Sequence, residues 1–600
     1  MIYNPLDKYY KNIIGACSEQ DELEFRVKGN FGSVLLIFKS DKTGEEFSYL
    51  MEKKLDYFYT KIKLPVGLYF YYFKLDNGLY ISCGKGLIGH LTKQPVCFQL
   101  TVYKDYFVTP NWVKGGLIYQ IFPDRFNKSL DVKKVENGKV FRSNWGEEPF
   151  YKPDSNGEVL NNDFFGGDLL GIINKLDYIK SLGANILYLN PIFKAYSNHR
   201  YDTANYMEID SLLGDASDLL KLCNECHKRN MYVVLDGVFN HVGADSIYFN
   251  KKGTYNSIGA YQSKESPYFD WFNFYNYPDG YDSWWGIKTL PSINEKNKAF
   301  IDYITGENGV IAHYLKLGVD GWRLDVVDEL PSCFVKAIRK SAKSAKENSL
   351  IIGEVWEDAS NKIAYDERRE YFLGDELDSV MNYPLKNAII DFVNSRNCDN
   401  LVQVMLEQID HYPSEVLHSL MNILSTHDTF RIISALSSYD FYGKTKDQLS
   451  KVVLTPSQFE EAFLKVKIAS LIQYTACGTP SLYYGEEAGM EGFMDPFNRG
   501  CYPWGSEKLD VLNWYKFLGK LRNDFSVFKD GNFEVVYANG GKLIYTRKNP
   551  NCQLLIAINI SSSCLTFNFN GSLTEVYSDI EYFNKVELQP NSFGIFYKIS

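Results

Sequence analysis

Between residues 115 and 505, eight apolar β-type runs alternate with amphipathic helical stretches, and this alternation limits the fold more than any other feature of the sequence. The runs cover 117–122, 184–189, 232–236, 319–325, 350–354, 378–382, 421–425 and 481–485. Continuous apolar strands separated by helices are the pattern of a parallel sheet buried on both faces. Leu169, Ile172, Ile173, Leu176, Ile179 and Leu182 recur three and four apart and predict one helix that ends at Gly183. Asp325 and Glu354 stand 29 residues apart and Glu354 and Asn382 stand 28 apart, each the length of one helix plus one strand. Asp236 and Asp325 are 89 apart, which leaves roughly fifty to sixty residues for an excursion after the third strand. The expected fold class is α/β: a (β/α)8 TIM barrel with an inserted lobe at about 242–295. An open doubly wound sheet is the weaker reading, because no glycine-rich phosphate turn follows the first strand.

The flanks have a different character. From about 20 to 105, short aromatic or alternating runs such as Val34-Leu-Leu-Ile-Phe and Leu68-Tyr-Phe-Tyr-Tyr-Phe are broken by turns such as Asp76-Asn-Gly. Similar runs return between about 526 and 600. The expected organisation is an N-terminal β-sandwich domain at 1–110, the catalytic barrel at 111–524, and a C-terminal β domain, also read as a sandwich, at 525–600.

With 600 residues, 45% of them hydrophobic and 16% aromatic, the chain has ample material for several cores. Its formal net charge of −10 provides no cationic field for phosphates, which argues against nucleic acid and anionic membranes as partners. No run of about twenty residues is free of charge or strong polarity, and no basic start leads into an apolar stretch, so a cytoplasmic location is expected. The 11 cysteines are scattered, which suits a reducing compartment better than a disulfide framework. Cys223 and Cys226 have the spacing of a redox or metal motif, but they share an apolar helical stripe with Leu219 and read as buried packing thiols.

In a barrel, working residues emerge at the C-terminal ends of the strands. Strand three ends Asp236-Gly-Val-Phe-Asn240-His241, strand four Arg323-Leu-Asp325, strand five Glu354-Val-Trp356 and strand seven Thr426-His427-Asp428. Carboxylates at four core rims are costly without a use. Converging acids with a guanidinium and imidazoles admit metal-assisted hydrolysis or acid/base work on a glycosidic bond. None of the 8 histidines has the spacing of a His-Glu-x-x-His zinc site, which demotes the first.

At these residues the chain resembles the α-amylase superfamily, glycoside hydrolase family 13, over about 115–505. The resemblance rests on four ordered motifs, Asp236-Gly-Val-Phe-Asn-His241, Gly321-Trp-Arg-Leu-Asp325, Gly353-Glu-Val-Trp356 and His427-Asp428. It implies Asp325 as nucleophile, Glu354 as general acid/base and Asp428 as the carboxylate that binds sugar hydroxyls and stabilises the transition state. It also implies that Arg323 keeps the nucleophile ionised, as a nearby cation does. Asp236, Asn240, His241, His427, His199 and Tyr201 would line the subsite of the cleaved sugar, with Tyr201 as stacking platform. Trp356 and Arg431 join them as substrate-binding candidates.

Leu290-Pro-Ser-Ile-Asn294 and Asp325-Val-Val-Asp-Glu329 are similar to signatures of neopullulanases, cyclomaltodextrinases and maltogenic amylases. That subgroup implies a retaining hydrolase of α-1,4-glucosidic bonds in maltooligosaccharides, cyclodextrins or pullulan, with some transglycosylation. It implies a homodimer through the N-terminal domain, and it makes Glu329 a substrate-binding residue. Trp284 and Trp285, in the inserted lobe, are expected walls of the cleft. No cofactor is required, and a calcium ion is admitted near Asn127, Asp131, Gly167 and Asp168, although this loop is poorer in acids than the family pattern. The alternatives are an α-glucosidase or α-1,6-acting hydrolase of the same family, and a catalytically inactive glucan-binding protein.

Overall fold

The computed structural model describes residues 1–129, 138–155 and 157–599. They form two compact units, one of Met1–Thr109, Val355–Leu420 and Asp530–Ser600, the other of Pro110–Glu354 and Met421–Lys529. The strands at the eight expected places are β1 (Ile118–Ile121), β2 (Ile186–Leu189), β3 (Tyr232–Gly237), β4 (Gly321–Leu324), β5 (Leu350–Gly353), β6 (Ser379–Val380), β7 (Met421–Asn422) and β8 (Thr479–Tyr483). All but β6 lie in the second unit, where they pair in parallel in the order β5-β4-β3-β2-β1-β8-β7. The fold class is the (β/α)8 barrel.

The strands are short and buried along nearly their whole length, as their largely apolar make-up requires. Gly321 opens β4 because β5 approaches it closely: a Cβ there would lie 2.6 Å from the Leu350 carbonyl oxygen.

The helix predicted over 169–182 is two helices, Leu169–Ile173 and Leu176–Ser181. The Lys175 N–H bonds the Ile172 carbonyl, a tight closure that ends the first helix before the second begins. Helix Ala216–Lys228 starts in a capping box formed by Asp215 and Asp218, and it buries both Cys223 and Cys226. Burial pushes the Cys223 thiol up to about 12, the behaviour of packing material and not of a reactive thiol.

The excursion after β3 has little regular structure. Its elements are two three-residue turns, Phe269–Trp271 and Trp284–Gly286, and a small ribbon of Phe274–Asn276 and Gly280–Tyr281. Phe249 packs among Phe272, Phe274 and Tyr281. The Leu290–Asn294 stretch ties the lobe to the end of β3: Val242 N–H donates to the Pro291 carbonyl, Ile293 N–H to that of Asn240, and Asn294 N–H to that of Trp271.

In the first unit, a five-strand path with two further strands and a three-strand sheet enclose one apolar core that includes Tyr3, Phe25, Phe38, Tyr71 and Phe98. This is a sandwich. Near the C-terminus, six antiparallel strands join in one path, with a bulge between Asn568 and Ser572. Lys11 and Asp410 form a fully buried ion pair at 2.7 Å in this unit.

Candidate active site

Register explains why the acids converge. Asp236 on β3 pairs with Arg323 on β4, and Leu324 on β4 pairs with Gly353 on β5. The next residue of each of the latter strands is Asp325 and Glu354, so the two acids leave the sheet side by side. The fully buried Arg323 donates from Nη1 to Asp236 Oδ1 at 2.8 Å and to Asp325 Oδ1 at 2.7 Å. Its Nη2 lies 2.7 Å from Glu354 Oε2. After Asp325 the chain turns through Val326 at φ 37 and ψ 51, a left-handed conformation that strains a β-branched residue. The turn directs the Val326 N–H to Glu354 Oε2 at 2.9 Å.

One cation therefore serves three carboxylates. Burial raises the Asp325 carboxyl well above the usual range; Arg323 pulls it back, while Glu354 and Asp236 push it further up. The expected role of Arg323 in holding Asp325 ionised thus acts against a larger influence, the burial of the acid.

Asp428 follows β7 and His427. Gln120 and Asn190 donate their amide nitrogens to His427 Nδ1 at 3.0 and 3.1 Å. The imidazole proton is thereby placed on Nε2, which lies 2.6 Å from Tyr201 Oη and 2.8 Å from Asp428 Oδ2. Tyr201 in turn donates to Asp236 Oδ2 at 2.8 Å, as Tyr188 does at 2.7 Å. The Tyr201 ring stacks on His427 with centroids 5.2 Å apart and planes 7° apart. Burial would raise the Asp428 carboxyl, but contact with His427 and the charge of Arg499 outweigh it and hold it well below the usual range.

His199 and His241 are kept neutral. Burial lowers His199 to about 3, with Arg499 adding to the effect, and lowers His241 to about 4. The His241 ring stacks on Trp284 at 5.1 Å. Trp284 Nε1 donates to Glu329 Oε1 at 3.1 Å, Trp285 Nε1 approaches the same oxygen at 3.4 Å, and Asn240 Nδ2 donates to Glu329 Oε2 at 3.0 Å. Glu329 thus acts as a bracket for the two indoles and the end of β3. Trp285 is 83% exposed and Trp284 is not, so the two expected walls are unequal.

Two more of the expected residues have partners of their own. Trp356 belongs to the first unit, where it stacks on Tyr383 at 3.9 Å. Arg431 is fully buried and out of reach of a substrate: its Nη1 donates to the Tyr484 carbonyl at 2.7 Å and its guanidinium lies over the Tyr483 and Tyr484 rings. Arg499, not singled out from the sequence, is the arginine on Asp428, at 3.3 Å. Gln120, Tyr188 and Asn190 were also missed, although they stand at the ends of β1 and β2, where the strand-end rule points.

The calcium expectation rests on Asn127, Asp131, Gly167 and Asp168, of which Asp131 lies outside the described residues. Asp168 caps helix Leu169–Ile173: its Oδ1 accepts from the Gly171 N–H at 2.6 Å and its Oδ2 from Ser129 Oγ at 2.7 Å. The Asn127 amide donates to the Gly171 carbonyl at 2.9 Å. Gly167 is needed for close approach, since a Cβ would lie 2.2 Å from the Pro123 carbonyl oxygen. Among the described residues, no group of three or more His, Cys, Asp or Glu is arranged to hold a metal ion. Among the described residues, Asp168 serves as a helix cap.

The chain is 36% identical to an amylopullulanase of Thermoanaerobacter thermohydrosulfuricus over 608 residues, 90% of this chain and 40% of that protein. It is 32% identical to a cyclomaltodextrinase of Thermoanaerobacter pseudethanolicus over 530 residues, 84% of this chain and 82% of that protein. The chain spans less than half the length of the amylopullulanases it matches. A solved cyclomaltodextrinase structure superposes at a TM-score of 0.71 with 25% identity, covering 99% of both chains. Among the described residues, no helix is long and apolar enough to cross a membrane. The family model for the α-amylase catalytic domain matches residues 120–516, which hold Asp325, Glu354 and Asp428, and the chain belongs to the α-amylase family.

Proposed function

We propose that this protein is a retaining glycoside hydrolase that cleaves α-1,4-glucosidic bonds in maltooligosaccharides, cyclodextrins or pullulan, with some transglycosylation. The observation that carries this reading is the binding of Asp325 and Glu354 to the two terminal nitrogens of one guanidinium. A shared guanidinium favours the short carboxyl separation of a retaining pair, about 5–5.5 Å, over the wider inverting one. Asp325 attacks the anomeric carbon while Glu354 gives its proton to the glycosidic oxygen; the C1–O bond breaks and the leaving sugar departs. Glu354 then takes a proton from water, whose oxygen displaces Asp325 from C1. A second sugar hydroxyl in place of water gives transglycosylation. Asp428 accepts from sugar hydroxyls, and the neutral His199 and His241 present polar edges without repelling a cationic transition state.

A second reading, hydrolysis of α-1,6 bonds, is favoured by the similarity to an amylopullulanase. The names of the relatives support a glucan substrate for either reading. The subgroup resemblance also supports a homodimer joined through the N-terminal domain, which light scattering would test by mass, and the scattered cysteines support a cytoplasmic location.

Product analysis on β-cyclodextrin, pullulan and soluble starch, with Asp325→Asn as blank, tests the proposal. Ring opening and panose from pullulan are expected, with the anomeric configuration retained by NMR. Maltotriose from pullulan would assign α-1,6 cleavage, and inversion would overturn the double displacement.

A further inference from the structure

The sandwich strand Phe98–Tyr103 sends Phe98, Leu100 and Val102 into the apolar core with Tyr3 and Phe73, so Gln99 and Thr101 stand on its opposite face. In a sandwich by itself that face would meet water, yet Gln99 is buried. Its partners belong to the segment that leaves Glu354. Gln99 Nε2 donates to Ser360 Oγ and its Oε1 accepts from Asn361 Nδ2, both at 2.8 Å. Both ends of the buried amide are thus satisfied, and on one and the same segment.

Ser360 passes the grip back along the chain. Its Oγ donates to Asp358 Oδ1 at 2.7 Å, and its N–H donates to the same oxygen at 2.9 Å. The Ala359 N–H donates to Tyr412 Oη at 3.2 Å, and His411 Nδ1 lies 3.4 Å from Asp358 Oδ2. Residues 358 to 361 are therefore all held, by the sandwich and by the end of helix Asp399–His411. Only Glu357 separates them from Trp356, which itself stands two residues past Glu354. Trp356 stacks on Tyr383 and is still 45% exposed, so it has aromatic surface to offer a sugar.

We propose that Gln99 is a positioning residue for the reaction: through Ser360 and Asp358 it fixes the segment that carries Trp356, and so sets how well Trp356 receives the substrate. The sandwich domain then completes the substrate-binding surface of its own chain. The inference rests on the α-glucan reading of the active site. The amide suits this task better than a carboxylate would. The Ser360 hydroxyl gives its one hydrogen to Asp358 and needs a donor from position 99, whereas a glutamate would bring a further acceptor beside Asp358.

The test measures KM and kcat on maltoheptaose for Gln99→Leu in the full chain. KM is expected to rise about threefold to tenfold, the worth of one aromatic contact, while kcat changes less than about twofold. A merely structural role would lower the folded fraction, which lowers the apparent kcat and leaves KM alone. In a Trp356→Ala background the same substitution is expected to leave KM where it is, because the ring it positions is gone. A KM unmoved by Gln99→Leu, or one that rises as much without Trp356 as with it, overturns the proposal. Should Gln99→Leu fail to fold, Ser360→Ala cuts the link between Gln99 and Asp358 and is judged by the same two outcomes. If the unaltered protein does not cleave maltoheptaose, the α-glucan reading fails and the inference with it; if it does and either KM result is adverse, only the role of Gln99 fails.

Discussion

Arg499 holds Asp428 in place: its Nη2 donates to Oδ1 of the acid at 3.3 Å while its Nε donates to the carbonyl of His427 at 2.9 Å, so one side chain grips both the carboxylate and the backbone that carries it. Arg499 ion-pairs with Asp495 as well, at 2.8 Å, which fixes the guanidinium from behind. Removing it frees Asp428 to rotate and withdraws a charge that lowers its pKa. Arg499→Met is expected to reduce kcat/KM on a maltooligosaccharide about a hundredfold, the usual effect of a misplaced catalytic group. Arg499→Lys keeps the charge but not the fork, and it is expected to recover only part of the loss. Steady-state kinetics check both, and a loss below threefold in Arg499→Met would remove the positioning role.

The Asp325–Asp236–Glu354 cluster sets the acid limit of activity. The nucleophile works as a carboxylate, and its pKa is raised by burial and by the two neighbouring acids. Activity is therefore lost on acidification at a pH above the ordinary aspartate value of about 3.9. Asp236→Asn removes one of the charges that push Asp325 upward, so the acidic limb of kcat/KM is expected to move to lower pH. The maximum falls at the same time, because Tyr188, Tyr201 and Arg323 all donate to Asp236. The pH profile separates the two effects, and a limb that stays in place or rises would contradict this account of the cluster.

His241 contributes to stability with a definite sign. It is neutral in the folded protein, with a pKa of about 4, and titrates near 6.5 when unfolded. The unfolded chain therefore gains a proton first as pH falls. Its contribution is complete above pH 6.5 and is lost progressively toward pH 4, up to about 3 kcal/mol for this residue. His241→Gln is expected to lose less stability between pH 7.5 and 4.5 than the unaltered protein, by roughly that amount. Urea midpoints at the two pH values measure it, and equal losses would rule out His241 as the group responsible.

The sequence made the barrel legible because β1 to β8 are buried on both faces and mostly apolar, so each run stands out by itself. Asp236, Asp325, Glu354 and Asp428 were legible for a related reason, since a charge that closes an apolar run is hard to place without a partner. Arg499 was not, because it lies on a three-residue turn after β8 with no periodic context, and its partner is 71 residues away. Arg431 illustrates the opposite error: three positions past Asp428 it is near the site in sequence, but it turns into the Tyr483 and Tyr484 rings. The Glu329 bracket was hidden because the contacts between Trp284 and Glu329 span 45 residues across the irregular lobe. The break of the 169–182 helix escaped because the apolar spacing is continuous through it while the backbone closes at Lys175.

Lys11 and Asp410 pair at 2.7 Å with side chains 0% and 1% exposed, 399 residues apart in sequence. Lys11 also reaches the Gly15 carbonyl at 3.4 Å, so its ammonium has partners on two segments. Neither charge has water to fall back on, and removing one leaves the other buried and uncompensated. Lys11→Met is therefore expected to destabilise the unit that contains it by about 3–5 kcal/mol. The double variant Lys11→Met with Asp410→Leu removes both charges and keeps apolar volume, and it is expected to recover most of that loss, because a well-packed apolar pair often matches a buried ion pair. Chemical unfolding of the three proteins forms a double-mutant cycle. A double variant no more stable than Lys11→Met would show that the loss comes from packing around the lysine stem, and not from the stranded carboxylate.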